Sequence, residues 1–381
     1  MRTGRAARIW GIGGLGVALT GVGVAYLTTR PAAGPRMPAP AATAVVVDGL
    51  KALETRVEAG ATAEGTPAVG EAEGAALVEG LAGVAKSFPK LTTADKTRAI
   101  AVAGRVLDRF TADPTPAAGI DALEPSHAIL MAALEDHAPA IRARALTLVG
   151  SHWQWGPGRS LSTEERARLT TWRAALHGPV VRSLSAAEPG VRVAAIGGLA
   201  SLPEGMDAAA APAAPLVRDA DPVVRGTVLA AFARRREVLP EEAIIPLLHD
   251  PYPQVVDLAV TALKARGLSI EQVGLCKMIA HPRPAIRSSA IALLKGRTDV
   301  DPAAWLLYLT HDPVPTVRVE ALEALAADHP GPEAIHRAEE LLGQDPEDAV
   351  RVAARKLLPR TADTATLPPL PGSSRLVPKA N

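Results

Sequence analysis

Four pairs of residues in this chain place a carboxylate six positions ahead of a guanidinium: Asp136 and Arg142, Asp219 and Arg225, Asp312 and Arg318, and Asp345 and Arg351. In three further segments one member is kept, so that Arg192 follows Ala186, Arg287 follows His281, and Asp250 precedes Val256. Repeated acids and cations raise the possibility of catalysis. A structural reading is favoured instead: an Asp at a helix N-terminal turn caps free N–H groups, and an Arg in the next helix can satisfy it in bidentate fashion.

Other groups with chemical potential are weaker. His249 and His311 each precede a turn Asp and His281 takes an Asp position, which would set imidazoles along one edge. Zinc needs ligands within about 2.0–2.1 Å of a common centre, whereas stacked helices lie roughly 10 Å apart, so these are read as turn residues. Adjacent Glu164 and Glu165 point to different helix faces, and Ser162 with Glu165 fits a capping box opening a helix at Thr163. Cys276, the single cysteine, excludes an internal disulfide and sits in an apolar stretch as a small buried hydrophobe. No Gly-rich phosphate loop, His-Glu-x-x-His helix or Gly-x-Ser-x-Gly elbow is present, so no cofactor is expected and the protein reads as non-catalytic.

The elements that must position the pairs form a repeat. The apolar residue before each Arg position falls at Ile141, Val191, Val224, Val255, Ile286, Val317 and Val350, in steps of 50, 33, 31, 31, 31 and 33 residues. A step of 31–33 holds two helices of three or four turns and two turns. Val317, Ala321, Leu322 and Leu325 recur at helical spacing, while Pro313 and Pro315 suit the junction between helices. Each unit is therefore an antiparallel helix pair, and the fold class is all-α, an α-solenoid. The long 50-residue step contains an insertion, 151–170, with Trp153, Trp155 and Arg159 in a Gly/Pro-rich stretch. Two readings stand for these residues: indoles plugging an uneven gap between units, or anchors that bind a protein partner.

The Asp-Pro turn followed six residues later by Arg resembles HEAT repeats, in the short bacterial form similar to lyase-like repeats of phycobilisome proteins. The resemblance covers 125–358 and implies a right-handed solenoid in which Asp and Arg form ladders between adjacent units, interrupted where Val256, His281 and Ala186 depart from the pattern. It implies a scaffold for protein–protein interaction. Bilin lyase or alkylbase glycosylase activity, which some HEAT-like proteins possess, and a structural subunit of an envelope complex are the alternatives.

Composition narrows the setting. Of 381 residues, 48% are hydrophobic and only 3% aromatic, which excludes a disordered chain and favours closely spaced helices. Residues 1–36 hold five Arg and no acid, leaving 36 basic against 40 acidic groups in the rest. That balance argues against a nucleic-acid partner. Ile9 to Leu27 is an uncharged run of 19 residues, with Trp10 and Tyr26 near its ends. It is long enough to span a bilayer. The organisation expected is a basic cytoplasmic tip (1–8), a transmembrane signal-anchor (9–27), a Pro/Ala linker (28–44), an N-terminal helical capping region (45–124), the repeats (125–358) and a disordered Pro-rich tail (359–381). The positive-inside rule places the body outside an inner membrane; cleavage of the same segment as a signal peptide would release it. A bacterial envelope is suggested by 32 Arg against 9 Lys.

Overall fold

The structure, a computed structural model, describes residues 49–52, 55, 71–112, 121, 123–153, 162–203, 205–295, 297 and 299–358. The chain divides into two compact units, Met1–Val273 and Gly274–Asn381.

Helices α1 (Glu71–Ser87) and α2 (Thr93–Ala112) open the first unit. The Thr92 hydroxyl accepts from the Asp95 amide at 3.3 Å and donates to the Asp95 carboxylate at 2.6 Å. Pairs then follow: α3 (Leu123–Leu134) with α4 (Pro139–Trp153), and α5 (Thr163–Ser183) with α6 (Pro189–Ala200). Next come α7 (Asp207–Ala210) with α8 (Pro222–Phe232), and α9 (Glu241–Ile244) with α10 (Pro253–Ala265). Helix α11 (Ile270–Ile279) runs across the division and pairs with α12 (Pro284–Leu294). The second unit continues with α13 (Pro302–Leu309) and α14 (Pro315–Asp328), then α15 (Pro332–Gln344) and α16 (Asp348–Leu357).

Local sequence explains the shared pattern. From α4 onward every second helix but α16 opens on Pro, which lacks the N–H that a first turn leaves unbonded and has its φ already set for helix. Three first helices are not the three- or four-turn helices expected, α13 being only 8 residues long. After one turn, α7 and α9 pass into 3-10 segments, Ala211–Arg218 and Ile245–His249. Pro212, Pro215 and Pro246 cannot donate to the i−4 carbonyl, and these segments tighten in consequence. The insertion is also shorter as a loop than expected. Helix α4 runs through Trp153, α5 is the longest helix among the described residues at 21 residues, and the capping box at Ser162 forms with both hydrogen bonds, 2.8 and 3.1 Å. Residues 154–161 lie outside the described residues, as do 9–27 and 359–381.

Apolar stripes close the stack in each unit. In the first, Ile141, Leu146, Leu176, Ile196, Val224, Val228, Phe232 and Leu263 are buried almost completely. In the second, Leu275, Leu306, Val317, Leu322, Leu341 and Val350 belong to one core. Second helices stack on second helices, and small residues set how closely. A Cβ placed on Gly150 of α4 would lie 3.4 Å from the Gly198 Cα on α6 and 3.1 Å from the Oγ of Ser201, one residue past α6, so the two helices approach closely at these glycines. Gly197, one residue along, faces open space.

The adjacent glycines predict opposite outcomes. Gly150→Leu should force α4 from α6 and cost about 1–3 kcal/mol, lowering the thermal midpoint. Gly197→Ala should stabilise by roughly 0.5–1 kcal/mol, because Ala restricts the unfolded chain and meets nothing in the folded one. Circular dichroism melts of both variants read the signs.

Candidate functional site

The six-residue spacing of Asp and Arg has a geometric reason. From the first turn of a second helix, the Arg side chain reaches back over its own turn and forward to the next repeat. Arg225 gives Nη1 to the carbonyls of Asp219 and Ala220 at 2.8 and 3.1 Å. Its Nε and Nη2 then grip both oxygens of Asp250 in the following repeat, at 2.8 and 2.7 Å. Asp250 in turn accepts the Tyr252 amide at 2.9 Å, closing the turn that leads into α10. One guanidinium therefore satisfies two turns in successive repeats.

The same rung recurs within each unit. Arg192 holds the carbonyls of Ala186 and Ala187 at 2.8 and 2.9 Å and both oxygens of Asp219 at 2.8 and 2.7 Å. In the second unit, Arg287 holds the His281 carbonyl at 2.7 Å and Asp312 at 2.5 and 2.7 Å. Arg318 holds the Asp312 carbonyl at 2.9 Å and one oxygen of Asp345, also at 2.9 Å. These side chains are almost fully buried, 9% and 4% exposed for Arg225 and Asp250.

Departures from the pattern are resolved in three ways. At Ala186 the interruption expected from sequence does not occur: Glu188, two residues later, reaches Arg142 at 2.9 Å, while Arg142 still binds the carbonyls of Asp136 and His137. His281 closes its turn as an Asp would, its Nδ1 accepting the Arg283 amide at 3.0 Å. Val256 carries no guanidinium and forms no such rung. At the C-terminal end, Arg351 binds the Asp345 carbonyl at 2.5 Å and pairs with Asp348 of its own helix, which stands where the six preceding second helices carry Pro. The ladder also begins earlier than expected, with Lys96 of α2 donating to Asp136 at 2.6 Å.

Burial pushes the Asp219 carboxyl up, but Arg192, the Asp221 amide and Arg225 outweigh it and hold it below the usual carboxylate range. Asp345 and Asp136 are likewise pushed up by burial and held low overall, Asp345 by Arg318 and the Glu347 amide, Asp136 by Lys96 and the Ala138 amide. The Asp312 carboxylate raises Arg287 above its ordinary value.

A second set of arginines works at the opposite ends of the helices. Arg235 donates to Asp207 at 2.7 Å and to the Leu202 carbonyl at 3.3 Å, while Arg266 donates to the Ala233 carbonyl at 2.7 Å and the Leu239 carbonyl at 2.6 Å. Both place a cation at the C-terminal end of the preceding second helix, the negative end of its dipole. The signal was available, because Arg235, Arg266 and Arg297 follow the same 31-residue step.

The proposed anchor residues separate. Trp153 is not in a loop: it ends α4, is 4% exposed, and its ring lies 6.3 Å from that of His177. Trp155 and Arg159 lie outside the described residues. Among the described residues no group of three or more His, Cys, Asp or Glu is placed to hold a metal ion, and no helix is long and apolar enough to cross a membrane.

Removing one half of a buried rung should be severe. Arg225→Ala strands the Asp250 carboxylate and opens the Asp219 turn, a loss of about 3–5 kcal/mol. Replacing both members, Arg225→Leu with Asp250→Asn, should cost clearly less than the two single losses together, as a double-mutant cycle in urea will read. Because the Asp219 and Asp345 carboxyls are held below their unfolded value, their contribution is complete above that value and is lost as pH falls through the folded one. Unfolding midpoints should fall steeply below about pH 4.

Residues 273–359 match the family model described as HEAT repeats. No curated protein matches the sequence. Among solved structures, a designed armadillo repeat protein in complex with the peptide (KR)4 aligns at 16% identity and a TM-score of 0.37, covering 58% of this chain and 98% of its own. An engineered protein aligns at 18% identity and a TM-score of 0.35, covering 89% of this chain and 87% of its own. A second designed armadillo repeat protein aligns at 16% identity and a TM-score of 0.33, covering 64% and 98%. The chain thus carries HEAT-like repeats, matched over 273–359 and continued upstream by helix pairs built on the same turn and the same rung.

Proposed function

We propose that the protein is a non-catalytic scaffold that binds another protein along the faces of its stacked helices, exported and held at an inner membrane by Ile9–Leu27. The observation that carries this reading is the fate of the repeated charges. The Asp and Arg side chains that resemble a catalytic array are spent inside the stack, each on a turn and a neighbouring repeat, so they hold helix pairs in register. What the repeats offer outward is helix surface. In the second unit it includes Leu293 on α12 and Val352 on α16, 52% and 62% exposed. Solenoid faces of this kind serve protein recognition, since a long row of parallel helices presents a continuous surface to a partner. The membrane tether rests on the apolar run and its flanking arginines, and the right-handed stacking implied by the HEAT resemblance belongs to the same proposal.

Crosslinking in intact cell envelopes, followed by purification of the full chain, tests both parts. One protein should be recovered stoichiometrically with the wild type and lost with Leu293→Glu or Val352→Glu, at unchanged circular dichroism. Alkaline carbonate should leave the chain in the membrane fraction, and deletion of 9–27 should release it. Recovery of the same protein by both surface variants would overturn the binding face, and extraction of the intact chain by carbonate would overturn the tether.

A further inference from the structure

The second unit ends on α16, the last helix among the described residues, and its outer side departs from what the interior second helices carry. In α14 the places one and four residues after the rung Arg318 hold Val319 and Leu322, both packed into the core. Helix α12 holds Ser288 and the buried Ile291 at the same places after Arg287. On α16 they hold Val352, which is 62% exposed, and Arg355, which is exposed as well.

A repeat array that ends in water needs a polar outer face. Arg355 in the place of Leu322 meets that need and also bars a further repeat from stacking, since such a neighbour would bury the guanidinium without a partner. Val352 does not meet it. The charges around Val352 follow an order that a copy of the same helix can match. Asp348 lies four residues before it and Arg355 three residues after, a separation of about 10 Å along one stripe of the helix. A second α16, antiparallel and crossed at Val352, sets each Asp348 against the other copy's Arg355 and Val352 against its equivalent. Both charged groups are open to such a partner. Asp348 pairs with Arg351 of its own helix yet stays 90% exposed, which leaves room for a second guanidinium. Lys356, the next cation along, is already engaged by Glu323 of α14 at 2.6 Å.

We infer that the outer face of α16 is a self-association surface, on which a second copy of this chain docks about a two-fold axis at Val352. The contact is isologous, so it closes at the dimer. A head-to-tail arrangement, in which the end of one copy takes a further helix pair, is disfavoured by Arg355. One helix face covers less than the roughly 800 Å² per partner of a standard interface, so the pair is weak and reversible. The inference rests on the scaffold reading only in taking Val352 as a contact surface, and it requires no other protein.

Sedimentation velocity of the purified full chain in mild detergent, at concentrations up to about 0.5 mM, reads the assembly. The wild type should pass reversibly from monomer to dimer and no further. Arg355→Glu and Asp348→Arg should each weaken the dimer at least about tenfold, because each sets like charges against one another. Mixed in equal amounts, the two variants should pair with each other about as tightly as the wild type, since both contacts then again join opposite charges. Arg355→Glu carries the test alone if Asp348→Arg does not fold by circular dichroism. Leu293→Glu should leave the dimer unchanged, so that loss of a captured partner and loss of self-association are read separately. A wild type that stays monomeric, oligomers that grow past the dimer, or a dimer of wild-type strength in Arg355→Glu would overturn the proposal. So would a dimer that forms only after removal of 359–381, which would make that segment the occupant of the face.

Discussion

A buried guanidinium that serves two turns at once is the constraint on which this architecture rests. Burying a charge is costly unless every donor finds an acceptor, and an Arg fork has five donors in a fixed plane. Arg192, Arg225 and Arg287 meet that condition only when their own turn presents its carbonyls and the next repeat presents its Asp, at the same time. A helix pair slipped along its neighbour would strand both groups. The rung thus acts less as a source of net stability than as a penalty on wrong register, which apolar stripes of Ala, Val and Leu cannot impose by themselves.

Packing between second helices meets the other half of the requirement. Gly150 against Gly198 lets α4 and α6 approach backbone to backbone, and a Cβ on Gly226 would lie 3.0 Å from the Leu258 side chain in the next pair. Close approach brings the turns near enough for a side chain as short as Asp to be reached. Arg235 and Arg266 fasten the far ends of the same helices. The helix pair with Arg225 and Arg235 is pinned at both ends and filled between by small residues.

Exceptions to the pattern follow the same chemistry. Glu188 replaces a missing Asp because its longer side chain, starting two residues later, still reaches Arg142. Lys96 begins the ladder with a single-point donor, and Arg351 ends it on Asp348 of its own helix. Asp348 stands where the six preceding second helices carry Pro, so this carboxylate comes from the first turn of the same helix. His281 keeps the turn with an imidazole nitrogen in place of a carboxylate oxygen.

The sequence by itself determined the repeat, the helix pairs and the identity of the rung residues, because these depend on local periodicity, on Pro at helix starts and on Asp at turns. Ser162 with Glu165 was legible for the same reason: both partners of a capping box lie within one turn. Tertiary structure alone decided which Asp each Arg meets, that Glu188 substitutes for Ala186, and that Trp153 is buried rather than presented. It also brought His127 of α3 against Trp172 of α5, residues 45 positions apart. Such features depend on distances between segments tens of residues apart, and a linear pattern specifies them only where the repeat does, which is why the regular rungs could be read in advance and the contact of His127 with Trp172 could not.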